Sequence, residues 1–264
     1  MTEYPIGKRK KREWKEYAAF VLLLIVAGLS YALLQQRPSA APAPEKQEEI
    51  GAGIREDSLV RLPVIVLDPG HGGEDGGAVA ADGTEEKTIN LALSLALRDL
   101  FEAEGYRVVM TRTEDRMPRD PAVDSSKKRS DLSARVRTAK AEPSPVFLSI
   151  HMNKFPQSRY SGLQVYYSPR SAYSYALASA IQKTAGKGLS PENDREVKNG
   201  TGLFLLDRLD CPAVIVECGF LSNEKELALL QTEEYRGKLA AAIFEAVDRF
   251  AVESGYGASD REKA

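Results

Sequence analysis

The sequence predicts an α/β fold: a single domain with a mainly parallel, roughly six-stranded twisted sheet flanked by helices, preceded by one N-terminal transmembrane helix. Three observations predict it. From Val64 onward, short apolar, β-branched runs alternate with amphipathic stretches, the pattern of successive βαβ units. Three of those runs end on a metal-competent or titratable residue. Ahead of them, an almost unbroken apolar stretch from Tyr17 to Leu34 follows a basic run.

That N-terminal stretch comes first in chain order. Its length corresponds to roughly 27 Å of helix, close to the thickness of a bilayer's hydrocarbon core. The preceding Lys8-Arg9-Lys10-Lys11-Arg12 is expected to stay cytoplasmic, leaving the rest of the chain outside. Ser39-Ala40-Ala41 and Ala41-Pro42-Ala43 both look like small-residue cleavage sites, but a proline follows each. A retained anchor is therefore expected over a cleaved signal; cleavage would make the protein secreted. The expected organisation is a basic head at 1–16, an anchor or signal segment at 17–35, a flexible linker at 36–60, a catalytic domain at 61–254 and a disordered tail at 255–264.

The 264 residues, 43% hydrophobic, leave room for one α/β domain of roughly 200 residues beyond this appendage. With 36 basic and 38 acidic residues the formal net charge is only -2, so no nucleic-acid partner is expected. The two cysteines, Cys211 and Cys218, flank one strand-like run and stand roughly 23 Å apart if it is extended. They read as small buried hydrophobes rather than as a disulfide.

Strands are expected at Val64 to Asp68, Arg107 to Thr111, Val146 to His151, Leu163 to Ser168, Leu203 to Leu206 and Val214 to Glu217. The first helix is expected from Lys87 to Glu104, with Ile89, Leu93, Leu97 and Leu100 along one face and Gly105 as its stop. Further helical patterns fall near Leu132 to Ala141, Ala172 to Lys187, Glu224 to Leu230 and Tyr235 to Glu253. Two connections, Arg112 to Asp131 and Gly186 to Gly202, are longer than this class needs, which marks them as functional or mobile.

The first, third and last strands lead into His71, His151 and Glu217. Ligands of open parallel sheets bind outside the carboxyl ends of strands, so these three groups should converge. Both histidines of the chain sit in this context, and imidazole suits zinc. A catalytic zinc site of this kind needs a carboxylate as third ligand and keeps one position open. Asp68, Glu74, Asp75, Glu85, Glu86 and Glu217 all qualify by position. The glycine-rich stretch His71 to Gly77 lacks both the Lys-Ser/Thr of a phosphate-binding loop and the spacing of a dinucleotide fingerprint.

The ordered motifs carry a family resemblance. Val66-Leu67-Asp68-Pro69-Gly70-His71-Gly72-Gly73, then Glu86-Lys87, then Ser149-Ile150-His151-Met152-Asn153, then Pro212 to Asn223 resemble the zinc-dependent N-acetylmuramoyl-L-alanine amidases of the amidase-3 type. The resemblance implies one zinc ion per chain held by His71, Glu86 and His151, with Glu217 as general base. Glu85 is the nearest competitor of Glu86. Asn153 and Asp68 are further candidates, for orienting a ligand or binding substrate.

Met110-Thr111-Arg112, Asp131-Leu132-Ser133-Ala134-Arg135-Val136 and Tyr160-Ser161-Gly162-Leu163-Gln164 resemble the germination-specific members from spore formers. That implies hydrolysis of the bond between N-acetylmuramic acid and L-alanine in peptidoglycan, for muramic-δ-lactam formation in the spore cortex. The expected place is the forespore intermembrane space, with the membrane and an activating lipoprotein as partners. The alternatives are a vegetative amidase of daughter-cell separation and a non-catalytic wall-binding protein. Lys154 departs from the family's pattern, where a small residue is usual.

Overall fold

A computed structural model describes residues 62–123 and 126–257. The expected head, anchor and linker lie outside the described residues, as does the tail beyond residue 257. Among the described residues no helix is long and apolar enough to cross a membrane.

The strands are β1 (Val64–Pro69), β2 (Val108–Met110), β3 (Pro145–Asn153), β4 (Gln164–Tyr167), β5 (Lys198–Asn199) and β6 (Ala213–Phe220). The helices are α1 (Glu86–Ala103), α2 (Lys127–Lys140), α3 (Ser174–Ile181), α4 (Glu224–Leu230) and α5 (Glu233–Ser254), and α3 runs into a π-helical turn at Gln182–Lys187. One sheet contains all six strands in the order β2-β1-β3-β6-β4-β5.

The expected α/β class and strand number hold, but the sheet is mixed rather than mainly parallel. β2, β1, β3 and β6 run parallel, whereas β4 pairs antiparallel with β6 and carries β5 with it. The cause lies in the connection. Only residues 154–163 separate β3 from β4, too few for the helical crossover that a parallel return requires.

A second correction concerns Leu203 to Leu206, which forms no strand. Asp207 and Arg208 donate to the carbonyls of Leu203 and Leu205, so this run winds into turns. Its leucines pack from there. Leu205, Leu206 and Leu209 join Val64, Val66 and Phe147 in a buried cluster that includes Val136 and Ala139 of α2. The strand in this region is the two-residue, exposed β5, which has no apolar pattern to reveal it.

Strand alternation divides the core into two layers. Ile65, Leu67, Val146, Leu148, Val214 and Val216 face the larger cluster, filled by Ile89, Leu93, Leu97 and Phe101 of α1 together with α3 and α5. Phe101 takes the fully buried position, while Leu100 is only partly buried at the edge. Cys218 lies in this core and Cys211 is half-buried; both are free thiols.

Helix ends follow the local chemistry. Ser126, Asn223 and Thr232 accept backbone N–H bonds at the starts of α2, α4 and α5, and Gly255 closes α5 in the left-handed conformation. The carboxyl ends of β1, β3 and β6 lie side by side in register.

Candidate metal centre and catalytic site

His71 follows β1 in a left-handed backbone conformation, φ 61°. A residue with a Cβ occupies that region only at a cost of about 1–3 kcal/mol, so the surroundings must hold it there. Two buried arginines do so. Arg135 donates to the carbonyls of Pro69 at 2.9 Å and His71 at 2.7 Å. Arg112 donates to those of Pro69 and Gly70, each at 2.9 Å, and to that of Lys87. Every carbonyl from Pro69 to His71 is thereby gripped.

Glycines on either side leave space for the functional side chains. A Cβ on Gly70 would come within 2.3 Å of the His151 ring. On Gly77, whose φ is +71°, it would come within 2.5 Å of Glu86 Oε2 and 2.6 Å of His71 Cδ2. The first long connection packs here too: Asp115 accepts the Gly73 N–H at 2.8 Å, and Gly72 abuts the Arg116 carbonyl.

Glu86 is the first residue of α1. Its backbone N–H donates to the Ala78 carbonyl, and its Oε2 accepts from the Ala78 N–H, both at 2.8 Å. Oε1 accepts from Met152 N–H at 3.0 Å and from Asn90 Nδ2 at 3.2 Å. Asn90, one helical turn on, also donates to Gly70 O. The carboxylate is thus fixed from α1, β3 and the loop after β1 together. Glu85, the extended residue before the helix, points elsewhere and pairs with Lys87 at 3.2 Å.

His71 Nε2 lies 3.2 Å from Glu86 Oε2, and His151 Nδ1 lies 2.9 Å from Glu86 Oε1. The two rings meet edge-on, 4.9 Å between centroids. One ligand atom from each of the three residues falls within 4.8 Å of the others. Donors at 2.0–2.2 Å from one tetrahedral zinc stand about 3.3 Å apart, the size of the two histidine–glutamate contacts, which reach different oxygens of Glu86. Two imidazoles and a carboxylate are also a donor set that zinc accepts. Burial pushes the Glu86 carboxyl up, but hydrogen bonding and charge from His151 and His71 outweigh it and leave it well below its ordinary 4.5. On its far side His71 presents Nδ1 to Asp75 Oδ2 at 2.9 Å. Asp75 therefore stands behind a histidine rather than in the cluster, and Glu74 is drawn off to Lys127.

Glu217 stands beside His151 in register across β3 and β6, with Gln164 of β4 on its other side. Its Oε2 is buried and has no hydrogen-bond partner among the described residues. Burial raises its carboxyl above the ordinary 4.5, with the charge on Glu86 adding to the effect and the histidines opposing it. The arrangement sets a buried carboxylate, raised above its ordinary value, one strand from His151 and the group of three donors that could hold a metal ion.

The remaining candidates separate. Asp68 does not touch a histidine side chain. Fully buried, it accepts from Thr111 Oγ1, Ser149 Oγ and Arg135 Nη1, each at 2.6 Å, and so acts on His71 only through the arginine that grips its carbonyl. Asn153 lies past a bulge in the β3–β6 pairing and lines a cavity beside Glu217. Lys154 donates to Val79 O at 2.6 Å.

Arg112, Arg135 and Asn90 have clear positioning contacts that single-residue reading of the sequence does not assign. Arg112 and Arg135 fall in Met110-Thr111-Arg112 and Asp131 to Val136, two of the runs that carry the family resemblance, and Asn90 stands one turn after Glu86.

Residues 65–249, the span that contains every one of these groups, match the N-acetylmuramoyl-L-alanine amidase family. The chain belongs to that family. This amidase is 34% identical to the germination-specific N-acetylmuramoyl-L-alanine amidase of Bacillus subtilis (strain 168) over 194 residues, 73% of this chain and 81% of that protein. It also resembles the solved CwlD amidase from Clostridioides difficile in complex with the GerS lipoprotein. There the identity is 38% and the TM-score 0.67, covering 72% of this amidase and 99% of that chain. The catalytic domain of CwlV, N-acetylmuramoyl-L-alanine amidase from Bacillus (Paenibacillus) polymyxa var. colistinus, is 29% identical with a TM-score of 0.61, covering 72% and 99%. The expected enzyme class is met.

Proposed function

We propose that this amidase hydrolyses the amide between N-acetylmuramic acid and L-alanine in peptidoglycan, with zinc held by His71, Glu86 and His151 and with Glu217 as general base. The observation that carries the reading is the meeting of those three donors beside a buried carboxylate whose Oε2 has no hydrogen-bond partner among the described residues. A bound zinc supplies Lewis acidity toward the scissile carbonyl and lowers the pKa of water toward about 7.

The chain's own residues do the rest. Glu217 takes a proton from the attacking water and returns it to the leaving L-alanine nitrogen, work that contributes on the order of 10² to 10⁴ in rate. Burial raises its carboxyl above the ordinary 4.5, which strengthens it as a base. Asn90 and the Ala78 and Met152 amides keep Glu86 in one orientation, and Asp75, 2.9 Å from His71 Nδ1, leaves Nε2 toward the cluster. Asn153, which makes no side-chain hydrogen bond to the described residues, is free to meet substrate at the rim of the neighbouring cavity.

The biological setting we propose is removal of stem peptides for muramic-δ-lactam formation in the spore cortex, supported by the germination-specific relative. Segment 17–35 would tether the enzyme outside the cytoplasm, in the forespore intermembrane space. The lipoprotein complex of the CwlD amidase supports a lipoprotein partner for this chain as well.

Mass spectrometry of muropeptides treated with the purified protein, with and without added zinc, tests the chemistry. Stem peptides beginning in free L-alanine are expected only when zinc is present; intact muropeptides under both conditions would reject the reading. Spores lacking the protein should contain no muramic δ-lactam, and normal lactam with failed daughter-cell separation would point to the vegetative role.

A further inference from the structure

Beside Glu217 the sheet face opens into a cavity of about 300 Å³ whose lining includes Tyr160, Gln164, Tyr166, Arg195, Lys198 and Phe220. We propose that this cavity is a carboxylate subsite for the peptide arm of the substrate, in which Arg195 and Lys198 set specificity. The inference rests on the amidase reading above and names which part of the substrate lies where.

Three observations carry it. The cavity begins at the reacting end of the sheet, because Gln164 pairs in register with Glu217 and Tyr166, on the same face, pairs with Lys198. Adjacent strands lie about 4.8 Å apart, so the path from β6 across β4 to β5 is about 10 Å. That is the reach of about three extended residues, which brings the second and third residues after the scissile bond over the two cations.

Next, Arg195 is held ready for a ligand. Its Nε donates to Ser161 O at 2.8 Å and its Nη1 approaches Gln164 Oε1 at 3.4 Å, while the guanidinium lies 4.7 Å from the Phe220 ring centroid. Nη2 is left without a hydrogen-bond partner among the described residues. A planar fork with a free edge suits a carboxylate.

Among the described residues the two cations also lack a direct ion pair, although the Arg195 charge is felt at Glu226. Neither Arg195 nor Lys198 forms an ion pair with a carboxylate of the described residues, and Lys198 Nζ stands 5.8 Å over the Tyr166 ring. The nearby Glu226 is turned to the backbone, where its two oxygens accept from Gly162 and Phe220 N–H, each at 2.8 Å. In peptidoglycan the residue after L-alanine is glutamate linked through its side chain, so its α-carboxyl is free unless amidated. That group, or a carboxylate one residue further, supplies the missing charge.

Initial rates on two muramoyl peptides that differ only in carrying a carboxylate or a carboxamide on the second residue test this. A charge-assisted contact predicts about a tenfold higher KM for the carboxamide, with kcat little changed. The pair Arg195→Gln with Lys198→Gln should erase that preference at unchanged zinc content. Lys198→Glu, on the exposed β5, serves as a second variant in case loss of the Arg195 side chain unfolds the loop, and should reduce the preference by itself. A carboxylate further along is separated by a second pair of peptides that differ only in carrying a carboxylate or a carboxamide on the third residue: a KM preference in that pair alone assigns the contact to that residue. Equal KM values within both pairs of peptides in the unmodified enzyme, or a preference that survives both variants, would overturn the subsite while leaving the amidase reading intact. Cleavage of neither peptide would overturn both.

Discussion

Glu217 and His151 occupy paired positions on β6 and β3, so the proposed base and a proposed zinc ligand stand one strand apart on the same face of the sheet. This separation makes their roles separable by mutation. Glu217→Gln keeps the shape and removes the basic oxygen. It should lower stem-peptide release by about 10² to 10⁴ while elemental analysis still finds about one zinc per chain. A variant that lost zinc along with activity would place Glu217 among the ligands.

Glu86 and Glu85 are neighbours with opposite expected behaviour. Glu86→Ala removes the carboxylate that meets both histidines and should reduce bound zinc to near zero. Glu85→Ala removes only a partner of Lys87 and should leave zinc unchanged. Zinc near one per chain in Glu86→Ala would overturn the ligand assignment.

Gly77 tests the packing around the site. Its positive φ and the closeness of Glu86 and His71 leave no room for a methyl group. Gly77→Ala should cost about 1–3 kcal/mol in chemical denaturation and weaken zinc binding, measured by competition with a chelator. Gly83→Ala, also at positive φ but with open space around it, should leave zinc affinity unchanged.

The Asp68–Arg135 pair should govern acid stability. Burial raises the Asp68 carboxyl, yet Arg135 and the hydroxyls of Ser149 and Thr111 outweigh burial and bring it below its ordinary 3.8. Its contribution to folding is therefore complete above that value and is lost as pH falls through the depressed folded value. Urea unfolding at about pH 7 and about pH 3 should show the loss, and Asp68→Asn should flatten it. Arg135→Met, which leaves Asp68 and Asp131 buried without their cation, should cost about 3–5 kcal/mol at neutral pH.

What the sequence makes legible here follows from which side chains obey a period. His71, His151 and Glu217 stand at the ends of apolar strands, and that pattern is enough to bring them together. Spacing does not separate Glu85 from Glu86, because the choice depends on where the helix begins: Glu85 is extended and Glu86 is already helical. Only the family motif distinguishes them. Arg112 and Arg135 are hidden for a different reason. Residues of their type are usually solvated, and burial at 1% each reflects carbonyls brought from a distant loop rather than any local pattern. The reversal of β4 could have been read from the ten residues before it, whereas β5 has too few residues to carry a signal.

The grip of the two arginines on the carbonyls of Pro69, Gly70 and His71 has a consequence for how the enzyme answers its surroundings. Carbonyl oxygens have no proton to lose, and burial beside Arg135 brings Arg112 down only to about 10. The two arginines that hold His71 in its left-handed pose therefore keep their charges and their carbonyl contacts from mildly acidic to mildly alkaline conditions. Neither arginine loses its proton in that range, so a change of rate there does not come from loss of this grip on the loop that carries His71.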